Sequence, residues 1–225
     1  MRVLGLIPAR GGSGRVPRKN LAKVGDLTLV RRALETALAA GCFDVVVLSS
    51  DDDEILAEAE GLDVVALRRP AELATATARA RDVALHALRE LDDPPFDALA
   101  IVQCTSPFTA PEDIAGTVEL LERSGAESVV TVARADAGHH PLKLKRLDGD
   151  RLFPYLEDDR LTPSHELEPL WARNGSVYAF RRDAVERGLE ADDVRGYEMP
   201  PERSFDIDTE EDLAFAQFLV SQGRR

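Results

Sequence analysis

Cysteine is almost missing from this sequence of 225 residues: Cys42 and Cys104 are the whole supply. Two thiols build neither a disulfide framework nor a four-cysteine metal site. Long apolar runs are missing as well, and nothing approaches the roughly 20 residues that cross a bilayer. The opening MRVLGLIPARGG passes from a short apolar stretch straight into Arg and Gly. Without a longer apolar region and a small-residue cleavage site it reads as a buried strand and not a signal peptide. A cytoplasmic location is therefore expected. Basic charge is scarce: 28 Lys and Arg stand against 41 Asp and Glu, a net charge of −13. Such a surface disfavours nonspecific contact with nucleic acid or anionic membranes, so neither is expected as a partner. Internal repeats and interdomain linkers are also lacking, which leaves a single domain over 1–225.

What is present is a globular proportion of apolar residues, 44%, enough for one well-packed α/β domain at this length. Short β-rich runs alternate with longer helical patterns. Strands are expected at Val3–Ile7, Val45–Leu48, Val64–Ala66, Leu99–Val102, Ser128–Val132, Ser176–Phe180 and Ser204–Asp208. The first and fourth are nearly continuous apolar runs, as in parallel strands covered on both faces. Helices are expected at about Leu29–Ala40, Asp53–Glu60, Ala78–Leu91, Pro111–Ser124, Asp183–Gly188 and Glu210–Gln222. Pro111 suits a first helical turn, and Gly125 suits a C-cap. Thr209 followed by Asp212 has the spacing of a capping box. Repeated βα units predict a doubly wound, mostly parallel sheet of Rossmann-like type. The rhythm breaks at about 135–172, where Pro141, Pro154, Pro163 and Pro169 mix with charges and isolated aromatics. An inserted arm, containing a β-hairpin, is expected there.

Against the acidic background one basic cluster stands out. Arg10, Arg15, Arg18, Lys19 and Lys23 come close together with no acid among them. They belong to the loop IPARGGSGRVPRKN, Ile7 to Asn20, directly after the first strand. Glycines at 11, 12 and 14 let backbone N–H groups approach an anion, and Arg and Lys supply charge. The Walker pattern is absent, and the dinucleotide fingerprint fails because Pro17 holds its third glycine position. Open α/β sheets bind ligands at the carboxyl ends of their strands, which is where this loop sits.

The loop resembles the I-P-A-R-x-x-S-K-G-[IL]-P-x-K-N signature of acylneuraminate cytidylyltransferases, the CMP-sialic acid synthetases and their relatives. Six further segments resemble that family in order: LSSDDDEI (48–55), RPAELA (69–74), QCTSPF (103–108), HHPLK (139–143), NGSVY (174–178) and DIDTEED (206–212). The resemblance implies transfer of CMP from CTP to a nonulosonic acid. It gives Arg10, Gly11, Gly12, Ser13, Arg15, Lys19 and Asn20 to the nucleotide's phosphates and ribose, and Arg69 to the cytosine region. Gln103, Thr105 and Ser106 would lie between nucleotide and sugar, with Lys143 and Tyr178 lining the acceptor site. Asp206 and Asp208 would carry Mg²⁺, and Arg10, Lys19 and the two aspartates would form the catalytic set. Residues two apart on a strand share a face, so both carboxylates would converge while Ile207 points inward. The plainer alternative is that Asp208 caps the last helix and Asp206 is solvated. The family also implies a homodimer joined through the arm, whose Leu142, Leu144, Phe153, Leu170 and Trp171 an isolated arm would struggle to bury.

Three positions depart from the family pattern: Gly14 replaces a lysine, Ala76 an aspartate, and Ser164 the arginine that would clamp the sugar carboxylate. Arg15 could substitute for the first; Arg160 or Arg173 could serve for the last. The departures leave two other readings open. One is a cytidylyltransferase for another small acid, a 3-deoxy-octulosonate or a phosphonate; the other is a non-catalytic nucleotide-binding protein. Other conspicuous residues read as structural. Asp51–Asp53 suit a helix N-terminus, His139 and His140 lack metal-ligand spacing, and Cys104 is expected to pack beneath the turn at Thr105–Pro107. Trp171 is expected to anchor the arm or the dimer surface.

Overall fold

The computed structural model describes residues 1–12, 14–75, 77–91, 93–156, 163–189 and 191–224. Ser13, Ala76 and Arg160, three positions singled out above, lie outside the described residues. The chain begins with β1 (Val3–Pro8), then the short pieces β2 (Lys23–Val24) and β3 (Leu27–Thr28), which pair with each other. Next come α1 (Leu29–Ala39), β4 (Val45–Ser50), α2 (Asp53–Ala57), β5 (Val65–Arg68), α3 (Ala80–Glu90), β6 (Ala98–Val102), α4 (Pro111–Ser124) and β7 (Ser128–Arg134). The arm carries β8 (Lys145–Asp148) and β9 (Arg151–Pro154), a hairpin of its own. The chain closes with β10 (Trp171–Arg181), α5 (Arg182–Glu186), β11 (Val194–Glu198) and α6 (Glu210–Ser221).

Seven strands form the central sheet in the order β11-β7-β10-β6-β1-β4-β5. All pairings are parallel except those of β10, which runs antiparallel to β6 and β7. Alternation along the strands separates two apolar layers. Leu4 and Leu6 of β1, Val47 of β4, Leu99 and Ile101 of β6 and Phe180 of β10 pack beneath α3 and α5. Ile7, Leu48, Val102 and Val177 point the other way, toward α1, and Ala98, Ala100, Val129 and Ala179 toward α4. Period-two alternation thus lets one strand feed two cores.

Two expectations are corrected here. Ser204–Asp208 is not a strand: it is an extended segment after a 3₁₀ turn at Pro201–Arg203, anchored by the Ile207 N–H donating to the Thr105 carbonyl at 2.9 Å. The sheet edge is taken instead by β11, whose exposed VRGYE sequence carries almost no apolar signal because only one neighbour covers it. The arm also ends earlier than expected, since Trp171 and Ala172 already pair with β7. The helix ends obey local chemistry. Asp52 caps α2 by accepting from Glu54 and Ile55, and Thr209 with Asp212 forms the reciprocal box at α6. Pro111 opens α4, and Gly125 closes it at φ 69°. No described helix is long and apolar enough to cross a membrane.

Candidate active site

A cleft of about 480 Å³ opens at the carboxyl ends of β1 and β6. Nine of the residues expected from the sequence line it: Arg10, Gly12, Arg15, Lys19, Asn20, Arg69, Gln103, Thr105 and Asp208. Gly14 joins them, and Leu6 and Ile101 contribute an apolar floor.

The loop after β1 is held from behind. Gly11 donates its N–H to Asp51 Oδ1 at 3.0 Å, and Asn20 Nδ2 donates to the Arg10 carbonyl at 2.9 Å. Gly11 has a steric reason to be glycine, since a Cβ there would lie 2.7 Å from Asp52 Oδ2 and 2.9 Å from Asp52 Cβ. At Gly12 and Gly14 a Cβ would meet nothing within 4 Å, so these two border open space in the cleft. Arg10 reaches across to donate to the Thr75 carbonyl at 2.9 Å. Arg69 is only 5% exposed; its Nε and Nη2 donate to the Ser49 hydroxyl and carbonyl at 3.1 and 2.6 Å. Burial pushes its pKa down, with the Asp51 charge opposing. A guanidinium fixed in this way gives the cleft a rigid cationic wall.

The cationic loop meets the acidic segment directly. Arg15 Nη1 lies 3.0 Å from Asp208 Oδ2, and Lys19 Nζ lies 3.5 Å from Asp208 Oδ1 and 2.7 Å from the Ile207 carbonyl. Asp206 stands deeper. Its Oδ1 is buried without a hydrogen-bond partner among the described residues, and burial raises its pKa, a contact with the Thr105 hydroxyl acting the other way. The neighbouring Asp208 charge raises it further. An orphaned, desolvated carboxylate oxygen beside a second, exposed carboxylate fits a hard divalent cation, which needs oxygen ligands and tolerates waters for the rest. Among the described residues no group of three or more His, Cys, Asp or Glu could hold a metal, so a cation here would draw on this pair plus ligand and solvent oxygens.

Five expected residues are not in the cleft wall. Gly11 works through its backbone, as above. Ser106 is buried and borders a separate small void near α1. Asp206 sits behind Asp208. Tyr178 is half-buried on β10 beside Ile101; burial raises its pKa, Arg173 opposes and Asp206 adds to it. Lys143 ends on the arm, donating to the Ser164 hydroxyl at 2.5 Å.

Four of the residues read as structural have structural surroundings. Asp52 caps and Asp51 takes a backbone N–H; His140 Nδ1 accepts from the Leu142 N–H at 3.3 Å. Cys104 is buried, its thiol pushed up to about 12 by burial.

Two supports went unrecognised in the sequence. Asn174 sits in the bulge where β10 shifts register against β7. It accepts from the Thr131 hydroxyl at 2.6 Å and donates to the Ser204 hydroxyl at 2.9 Å, tying the sheet to the segment that carries Asp206. The Asn-Gly pair inside an apolar strand was the available signal for that bulge. Asp113 is fully buried at the start of α4, accepting from the Ala110 N–H at 2.9 Å and from Arg203 Nη2 at 2.8 Å. Ninety residues separate the partners, and no local pattern announces such a pair.

The cytidylyltransferase family model matches residues 4–222. The chain is 30% identical over 221 residues to the N-acylneuraminate cytidylyltransferase of Oncorhynchus mykiss, covering 97% of this chain and 50% of that protein. It is 31% identical to the CMP-N,N'-diacetyllegionaminic acid synthase of Legionella pneumophila, covering 98% of this chain and 97% of that one. The chain thus spans about half the length of the fish relative and nearly all of the bacterial one. Among solved structures, a CMP:2-keto-3-deoxy-manno-octonic acid synthetase complexed with CTP superposes with a TM-score of 0.74 at 18% identity, over 99% of both chains. That likeness concerns the fold.

Proposed function

The chain belongs to the cytidylyltransferase family, and from that premise we propose that it transfers CMP from CTP to an acidic sugar, releasing pyrophosphate. The acceptor class is the nonulosonic acids, such as N-acetylneuraminate, legionaminate or pseudaminate. One observation carries the reading: a glycine-rich basic loop and an aspartate pair meet at one cleft, with the loop's cations already on Asp208.

In this reaction the acceptor's anomeric hydroxyl attacks the α-phosphorus in line and loses its proton to solvent, a P–O bond to it forms, and the bond to the β-phosphate oxygen breaks, releasing pyrophosphate. Little covalent chemistry falls to the protein, whose work is positioning and electrostatics. Arg10, Arg15 and Lys19 bind the triphosphate together with the backbone at Gly12, while Gly11, its N–H held by Asp51, shapes the loop beside them. As phosphate oxygens arrive, Arg15 and Lys19 exchange Asp208 for the nucleotide and free that carboxylate. Asn20 holds the loop's shape, and Arg69 presents its fixed charge on the nucleotide side. Gln103, Thr105, Tyr178 and Lys143 belong to the acceptor half, while Ser106 stays buried outside the cleft. Asp206 and Asp208 would hold Mg²⁺, which supplies charge neutralisation on the phosphates.

The reading includes a homodimer joined through the arm, because Leu147, Leu152, Phe153 and Tyr155 are exposed there, and Trp171 at the start of β10 is exposed as well. Sedimentation at a single monomer mass would contradict it. It also includes a cytoplasmic location, where nucleoside triphosphates are made. The test of the activity is pyrophosphate release with CTP and Mg²⁺ over a panel of acidic acceptors. Release with one nonulosonic acid, and with CTP above other nucleotides, is expected. Release only with an octulosonate or phosphonate would replace the acceptor; tight CTP binding with silence across the panel would replace the activity by nucleotide binding alone.

A further inference from the structure

Of the cations that mark the loop after β1, Arg10, Arg15 and Lys19 line the cleft, and Arg18 does not. Its guanidinium turns to the start of α2, where Nη2 lies 2.9 Å from Glu54 Oε2 and 3.9 Å from Asp52 Oδ2. Asp53 is taken by Arg68, which leaves these two acids to Arg18. The family signature has no fixed residue at this position, so the resemblance gives Arg18 no role.

The backbone at Arg18 is as unusual as its side-chain contacts. With φ 53° and ψ 34° it occupies the left-handed region, which a residue with a long side chain seldom enters. The turn it makes opens the 3₁₀ segment Lys19–Leu21: the Lys19 N–H donates to the Val16 carbonyl at 3.2 Å, and the Leu21 N–H to the Arg18 carbonyl at 2.9 Å. That segment carries Lys19, whose Nζ reaches the Ile207 carbonyl, and Asn20, which holds the Arg10 carbonyl. Rotation of Arg18 into the ordinary negative-φ region would redirect both residues together. Strain of this kind persists only where the surroundings over-determine it. α2 supplies a fixed point, since Ile55 is buried in the core and Asp52 caps the helix. The same helix start holds the other limb of the loop, through Asp51 on the Gly11 N–H at 3.0 Å. None of these acids lines the cleft.

We propose that Arg18 is a positioning residue, whose ion pair with Glu54 fastens the left-handed turn to α2 and so sets Lys19 and Asn20 for the triphosphate. This rests on the nucleotide half of the transferase reading above. Both partners are more than half exposed, so the pair contributes modestly, and the expected change in CTP affinity is about two- to fivefold. Simple electrostatics forecasts the opposite sign. Glu54 is an anion beside an anion-binding loop, and if charge alone mattered its removal would tighten CTP binding. If Glu54 secures Arg18, its removal loosens CTP binding.

The experiment measures CTP affinity by calorimetry at low salt in the wild type, E54Q, R18M, R18K and the double variant E54Q/R18M, with KM for CTP and for the acceptor alongside. E54Q should weaken CTP binding about two- to fivefold in the wild-type background and should not weaken it further once R18M is present. R18K should keep most of the affinity that R18M loses. KM for CTP should rise with the loss of affinity, while KM for the acceptor stays unchanged. An E54Q that binds CTP as tightly as the wild type or more tightly, or that weakens binding equally in both backgrounds, overturns the role and leaves the transferase reading standing. A wild type that binds no CTP overturns the transferase reading, and this role with it.

Discussion

Replacing Arg203 with methionine removes the partner of a carboxylate that has no access to water. Asp113 is 0% exposed, and Arg203 Nη2 lies 2.8 Å from it, while Nη1 lies 3.2 Å from Glu112. Breaking a buried pair from one side costs about 3–5 kcal/mol, because the remaining charge stays desolvated. Here the arginine side chain is 31% exposed, so water reaches it and the cost falls to the bottom of that range or below, about 2–3 kcal/mol. For a domain of this size that corresponds to a fall in Tm of about 4–12 °C, read by calorimetry on the ligand-free protein. Function should suffer beyond stability. Arg203 closes the turn that leads into Asp206, so turnover should drop and the Mg²⁺ concentration for half-maximal rate should rise, even well below Tm. The decisive control is D113N, which deletes the buried charge. In that background R203M should cost much less than in the wild type. An equal cost in both backgrounds, or a Tm shift under about 2 °C in the single variant, would refute the buried-charge reasoning.

Asp208→Ala should abolish turnover at ordinary Mg²⁺ while circular dichroism and Tm stay close to wild type, since the side chain is exposed, Arg15 is solvated and Lys19 keeps its bond to the Ile207 carbonyl. Wild-type rates in that variant would remove Asp208 from the mechanism. Asp206→Asn should also stop turnover, but without loss of thermal stability, because it replaces a desolvated charge lacking a partner on Oδ1; a large fall in Tm would contradict that account. Gly11→Ala forces its new methyl group against Asp52, the cap of α2, and should cost about 1–3 kcal/mol and raise the KM for CTP; an unchanged urea midpoint would show that the loop yields freely. Burial pushes the thiols of Cys42 and Cys104 up to about 11 and about 12. Deprotonation, and with it reaction with a disulfide reagent, is therefore negligible near pH 8 and grows only as pH climbs toward those values. Titration of both thiols in the native protein at pH 8 would contradict this.

The βα alternation was legible because it is a local property. Continuous apolar runs at Leu4–Ile7 and Leu99–Val102 require a strand covered on both faces, and Pro111, Gly125, Asp52 and Thr209 mark helix ends through their own backbone chemistry. The basic loop was legible for a similar reason: five cations with no acid among them, on a strongly acidic chain, imply an anion whatever the surrounding fold. β11 was not legible, since an edge strand with exposed side chains carries little hydrophobic pattern. Nor was the extended course of Ser204–Asp208: its alternation resembles a strand, but a strand needs a ladder of backbone partners, and among the described residues Thr105 is the one strand-like backbone partner it has, through the Ile207 N–H. What tertiary structure alone decided is which distant residues meet. Arg15 and Lys19 lie on Asp208, Arg203 on Asp113, and Asn174 bridges Thr131 to Ser204. Composition and periodicity act over a few residues along the chain, whereas these contacts depend on strand order and register, which are settled only when the whole sheet closes its two cores.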